Sequence, residues 1–137
     1  EDELEILRAQ STAYDEIALD PVLTRTEISQ LQQVASEVFV EDSVLDYILR
    51  IVAATRTESE FKSGISVRGG LALKHAAQAM ALVRGRDFVI PDDVTDLVQP
   101  TLGHRLSLVR PTSDALEERR AIGAVLKRII EALPEPQ

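Results

Sequence analysis

Gly64-Ile65-Ser66-Val67-Arg68-Gly69-Gly70 leads directly into Leu71-Ala72-Leu73-Lys74-His75-Ala76-Ala77-Gln78-Ala79-Met80-Ala81-Leu82-Val83-Arg84-Gly85. The stretch reads as one helix over about 67–84, with Ser66 as its N-cap and Gly85 as its stop. Leu73, Ala76, Ala77, Met80 and either Ala81 or Val83 recur at helical spacing and form an apolar stripe. Five alanines between 72 and 81 keep the helix slim, so neighbouring helices can approach closely. Arg68 falls in the first turn. A helix start is electropositive, and a guanidinium fork matches phosphate oxygens. Each glycine inside a helix costs roughly 0.5–1 kcal/mol relative to alanine, so Gly69-Gly70 requires a reason, such as a flexible first turn or a close backbone contact.

Working outward, the rest of the chain is also helical in pattern. Thr24-Arg25-Thr26-Glu27 fits a capping box, followed by Ile28, Leu31, Ala35 and Val38, which predicts a helix over 25–36. Asp42 or Ser43 can cap a second helix whose buried face is Val44, Leu45, Ile48, Leu49 and Val52, ending near Thr55. Residues 56–65 are charged and polar and read as an exposed loop. Pro91, in the first helical position, is followed by Asp92 and Asp93 at the positive end of a helix with Val94, Leu97, Val98 and Leu102 inward. A last helix over 113–132 carries Ile122, Val125, Leu126, Ile129 and Leu133, and Pro134 and Pro136 end it. Val38-Phe39-Val40 and Phe88-Val89-Ile90 are two short extended runs that can pair in a tiny sheet. Residues 2–12, with Leu4, Ile6 and Leu7, read as a helical end or a strap. The fold class is therefore mainly α: a small helical bundle with two very short strands near 38–40 and 88–90.

Composition bounds the function. The 137 residues suffice for one domain with a core, and with 45% hydrophobic but only 4% aromatic residues, Leu, Ile, Val and Ala must fill it. A net charge of −8 argues against nonspecific nucleic-acid binding, which depends on lysine and arginine displacing counterions. No cysteine is present, so disulfides and thiolate metal sites are excluded. No apolar run approaches the ~20 residues that span a bilayer. No signal-peptide pattern opens the chain, and a cytoplasmic location is the expectation. The start without Met raises the expectation of a segment from a longer protein.

Three catalytic or metal readings are weak. Gly64-Ile65-Ser66-Val67-Arg68 begins like a nucleophile elbow, but Arg68 replaces the final glycine and no strand precedes the serine. His75 and His104 fall in no metal-ligand spacing, so no metal site is expected. Asp92-Asp93 serves a helix end better than a divalent ion.

Taken in order, Gly64-x-Ser66-x-Arg68, Leu71-Ala72-Leu73, Ala76-Ala77-Gln78-Ala79, Ala81-Leu82, Gly85-Arg86-Asp87-Phe88-Val89-x-Pro91-Asp92-Asp93-Val94 and Leu102-x-His104-Arg105-Leu106 resemble the C-terminal lid of MoxR-family AAA+ ATPases. Ile48 and Val52-Ala53-Ala54-Thr55-Arg56 match the lid helix that leads to a Thr-Arg. The resemblance runs from about residue 20 to 133, with its core at 53–106, and the lid of magnesium-chelatase ATPase subunits is the nearest confusable case.

The resemblance implies a lead-in segment at 1–20 from an α/β ATPase core, and a helical lid at 21–137 that closes over ATP. It implies that Arg68 is the sensor-2 arginine, with Ser66 and Gly69 beside it at the nucleotide, and that the hinge lies near 12–24. ATP and Mg would be bound mainly by the core, because the chain has no G-x-x-x-x-G-K-[ST] loop. The parent is expected to be an ATP hydrolase and chaperone-like remodeller in a ring, hexameric by analogy, acting on von Willebrand factor A domain proteins; the segment alone is expected to be inactive. Two rival readings remain: a non-catalytic helical interaction module and a DNA-binding helical domain.

Overall fold

The computed structural model describes residues 20–136. The strap at 2–12, the lead-in segment up to 19 and most of the hinge expected at 12–24 lie outside the described residues. Packing divides the chain between Gln30 and Leu31. In the smaller unit the capping box forms as its sequence demands. Thr24 Oγ1 accepts the Glu27 N–H at 3.2 Å, and Glu27 Oε2 accepts the Thr24 N–H at 2.7 Å. The helix it starts, α1, spans Arg25–Glu37.

In the larger unit four helices follow: α2 Asp42–Thr57, α3 Val67–Val83, α4 Pro91–Leu102 and α5 Ala115–Ala132, with a 3₁₀ turn at Gly103–Arg105 after α4. The short extended runs meet in one parallel bridge, Phe39 to Phe88, closed by Phe39 N–H to Asp87 C=O and Val89 N–H to Phe39 C=O, both 2.9 Å. The helical bundle with two very short strands is thus what the chain forms. No helix among the described residues is long and apolar enough to cross a membrane.

The core lies among α2–α5, built on Tyr47, Ile51, Leu73, Val94, Val98, Leu102 and Leu126. Each such side chain contributes about 1.5–3 kcal/mol when fully withdrawn from water. All four of Ile122, Val125, Leu126 and Ile129 on α5 are buried as their spacing predicts. On α3, Leu73, Ala77 and Ala81 are buried, and Val83 is 83% exposed, which resolves the alternative in favour of Ala81.

α3 stops where Gly85 adopts a φ of +73°, a backbone that glycine tolerates without strain. The Arg86 N–H then bonds the Ala81 C=O and the Gly85 N–H the Leu82 C=O, each at 2.9 Å, the two bonds of a Schellman stop. Just beyond, Asp93 in the first turn of α4 is fully buried. Its carboxylate accepts Arg84 Nη1 at 2.8 Å, Arg86 Nη1 and Nη2 at 2.7 and 2.6 Å, and the Ile90 N–H at 3.0 Å. Burial alone would raise its pKa; the two arginines and the Ile90 N–H outweigh that and hold it below the usual carboxylate value. The acidic first turn read from sequence is therefore an ion-paired joint between two helices.

Three local expectations are corrected. Leu49, expected inward, is 54% exposed, and Tyr47 and Ile51 take its place because the buried line of α2 runs through positions 44, 47–48, 51–52 and 55. Neither Asp42 nor Ser43 caps α2; Glu41 holds the cap position without a side-chain cap bond. The loop at 56–65 is not wholly exposed. Phe61 and Ile65 are buried, and Phe61 forms an antiparallel bridge with Leu108, which the charge-rich surroundings hid.

Candidate functional site

The start of α3 is fixed by the end of α2. Thr55, fully buried, donates from Oγ1 to the Val52 C=O at 2.7 Å and accepts the Ile65 N–H at 3.0 Å. The next residue, Arg56, donates from Nε to the Ile65 C=O at 2.7 Å. Gly64 passes so close to α2 that a Cβ there would meet the Arg56 Cα and N. Gly69 and Gly70 are both buried. A Cβ at 69 would overlap the Ile65 side chain, and one at 70 would press on Val52 at 3.2 Å. Close packing against the protein's own core thus accounts for this glycine pair. Gly69 presents no side-chain gap to solvent, and any contact it makes with a ligand would be through its backbone.

On this turn Arg68 is the second helical residue, and its side chain is exposed. Among the described residues it enters no ion pair and no hydrogen bond, unlike Arg84, Arg86 and Arg128, which are held by carboxylates. Ser66 occupies the N-cap position in extended backbone, φ −77° and ψ 164°, as read from the sequence. Its hydroxyl makes no cap bond, however. The Ser66 C=O accepts the Gly69 and Gly70 N–H groups at 2.9 and 3.2 Å, and no hydrogen bond among the described residues reaches the N–H of Val67 or Arg68. The positive helix end is left open, with a guanidinium on it.

Spacing places Val67, Arg68, Leu71, His75, Ala79 and Val83 along one exposed side of α3, and Val67, Leu71 and Val83 are large apolar side chains left in water. The largest polar side chain inside the bundle serves packing instead. Gln78, buried on α3, donates from Nε2 to the C=O groups of Ser36 and Val38 at 3.1 and 2.7 Å. A groove of about 460 Å³ bordered by Gln99, His104, Ser107, Glu118 and Arg119 does not include Arg68.

The rival chemistries find no support here. Ser66 follows a loop, not a strand, and His75 and His104 are exposed on separate elements. Among the described residues no group of three or more His, Asp or Glu could hold a metal ion.

The model of the AAA lid domain family matches residues 53–129, from the end of α2 through most of α5. The chain belongs to the AAA lid family. Proteins that carry the MoxR name are among its relatives. It is 37% identical over 125 residues to Chaperone MoxR1 of Mycobacterium tuberculosis, covering 85% of this chain and 32% of that protein. It is also 36% identical over 135 residues to the uncharacterized protein YeaC of Bacillus subtilis, covering 98% of this chain and 41% of that protein. Among solved structures, a candidate ATPase from Cytophaga hutchinsonii superposes with a TM-score of 0.72 at 22% identity, covering 98% of this chain and 43% of that one. The lid therefore spans less than half the length of these relatives.

Proposed function

We propose that this lid closes over ATP held by an α/β core of the same polypeptide, and that Arg68 senses the terminal phosphate. The observation that carries the reading is the start of α3: an exposed arginine without an internal partner among the described residues, two open N–H groups, and a backbone packed against α2. A guanidinium and a helix start both favour a polyanion, and both are worth most where the charge on the transferring group develops. The contact would exist with the triphosphate and weaken once the terminal phosphate leaves. That difference in affinity is what allows a lid to take different angles in the two states. Ser66 and the backbone at Gly69 would lie at the edge of the same contact.

Magnesium accompanying ATP would, as the family resemblance implies, be bound by the core. On this reading the parent is an ATP hydrolase and the isolated lid is inactive. By analogy with its relatives, the parent would be a cytoplasmic, chaperone-like remodeller assembled in a ring, with a hexamer and von Willebrand factor A domain clients as the specific forms proposed. A second reading, a lid that serves only as an interaction module, is favoured by the apolar line of Val67, Leu71 and Val83.

Arg68→Ala in the full-length protein separates the two. Turnover should fall by about a hundredfold, the scale seen when one preorganised donor to a transition state is removed, while ATP affinity changes little. Unchanged turnover would leave only the interaction module.

A further inference from the structure

We infer that Thr55 and Arg56 are positioning residues for Arg68: together they hold the one residue, Ile65, from which the phosphate-sensing turn is hung. The inference rests on the sensing role proposed for Arg68. Both backbone polar groups of Ile65 are taken by adjacent residues of α2, the N–H by Thr55 Oγ1 at 3.0 Å and the C=O by Arg56 Nε at 2.7 Å. Thr55 is itself oriented by its bond to the Val52 C=O, which commits its one hydrogen and leaves its lone pairs to accept the Ile65 N–H. The Ile65 side chain is buried and packs where a Cβ on Gly69 would be, and Gly64 leaves no space between the chain and Arg56. From this clamp Arg68 is three residues away along a helix that begins at once.

Closing the loop does not require the clamp. The loop has its own anchor farther back, where Lys62 N–H bonds Ser107 C=O at 2.9 Å, Val109 N–H bonds Glu60 C=O at 2.8 Å, and Phe61 is buried. A second, converging pair of bonds at Ile65 fixes the height and rotation of the α3 start relative to α2. It also gives a mechanical path, since a pull on Arg68 passes through Ser66 and Ile65 to the last turn of α2. Positioning of this kind matters because a misplacement of about 1 Å at a reacting centre can cost on the order of a hundredfold in rate.

The test uses the full-length ATPase and a cycle of variants: Thr55→Val, Thr55→Ser, Arg68→Ala and the double variant Thr55→Val with Arg68→Ala, each assayed for kcat and KM and checked for folding by thermal unfolding. Thr55→Val should lower kcat by about tenfold with KM within about twofold, and Thr55→Ser, which restores the acceptor, should recover most of it. On the Arg68→Ala background Thr55→Val should lower the residual rate no further, because there is no guanidinium left to misplace. A Thr55→Val loss that multiplies the Arg68→Ala loss in full would make the clamp merely structural and overturn the inference, as would an unchanged kcat. If Arg68→Ala itself leaves turnover intact, the sensing role fails and the inference with it, which is a distinct result. Should Thr55→Val fail to fold, Arg56→Met carries the same cycle, since Arg56 is exposed and methionine keeps the stem over Gly64 while removing the Nε–H.

Discussion

Replacing Asp93 by alanine would remove the joint between α3 and α4 at a single point. The carboxylate is fully buried and accepts four hydrogen bonds, three from guanidinium groups and one from the Ile90 N–H. Summing them at the roughly 1.5–3 kcal/mol of a charged hydrogen bond would overstate the loss. The side chains of Arg84 and Arg86 retain 39% and 21% exposure, so both guanidiniums can regain water, and Arg84 keeps Asp96 at 2.7 Å. The applicable scale is that of breaking a buried pair by deleting one partner, about 3–5 kcal/mol, and partial rehydration places the cost near the lower end, about 3 kcal/mol. For a domain of this size, that corresponds to a fall in Tm on the order of 10 °C. Thermal and urea unfolding of the chain measure it, with Asp92→Asn as the control. Asp92 is exposed in the same first turn and should cost less than about 1 kcal/mol, the scale of a helix-end charge alone. If Asp93→Ala and Asp92→Asn shift Tm by the same small amount, the buried ion pair does not stabilise this fold and the account of the joint is wrong.

Two further outcomes follow from the same structure. The folded pKa of Asp93 lies below its unfolded value, so its contribution is present above about pH 3.9 and is lost as pH falls through the lower folded value; Asp93→Asn should flatten the acid limb of a stability-against-pH curve, and a limb of unchanged slope would contradict it. Gly64→Ala and Gly123→Ala should diverge: at 64 a Cβ meets the Arg56 backbone, costing about 1–3 kcal/mol in urea unfolding, whereas at 123, inside α5, it meets only the movable Gln99 amide of α4, leaving stability within about 0.5 kcal/mol once helix propensity is gained. Equal effects at the two positions would show that backbone crowding is not what requires glycine at 64.

How much was legible in the sequence varies with the kind of contact. Periodicity identified α5 and its buried face because every inward residue is a large aliphatic at three- and four-residue spacing. It misplaced Leu49 because α2 has apolar residues on more than one side, and only the neighbours decide which side is covered. Turn chemistry was also readable: Thr24 with Glu27, Gly85, and Pro91 at the start of α4 each act through local geometry that their residue type imposes. Beyond the pairing of 38–40 with 88–90, contacts between separate elements could not be read. Phe61 with Leu108, Gln78 with Ser36 and Val38, and Arg84 and Arg86 with Asp93 depend on how helices are set against one another.

The candidate site shows the same division. Arg68, Ser66 and the glycines stood out because a cation at a helix start and two glycines within one turn break ordinary helical composition. For the glycines, composition left a flexible turn and a close backbone contact both open, and packing selects the second. Gly69 and Gly70 are not slack in the chain. They are the positions where α3 comes closest to Ile65 and Val52, so the turn that carries Arg68 is braced, not loose. For a phosphate sensor, bracing is the more useful property. The turn is held through Ile65 to Thr55 and Arg56; under the proposed sensing role, a long arginine on a yielding turn would follow the phosphate without moving anything, whereas one on this turn would pass the presence or loss of one phosphate to the body of the lid.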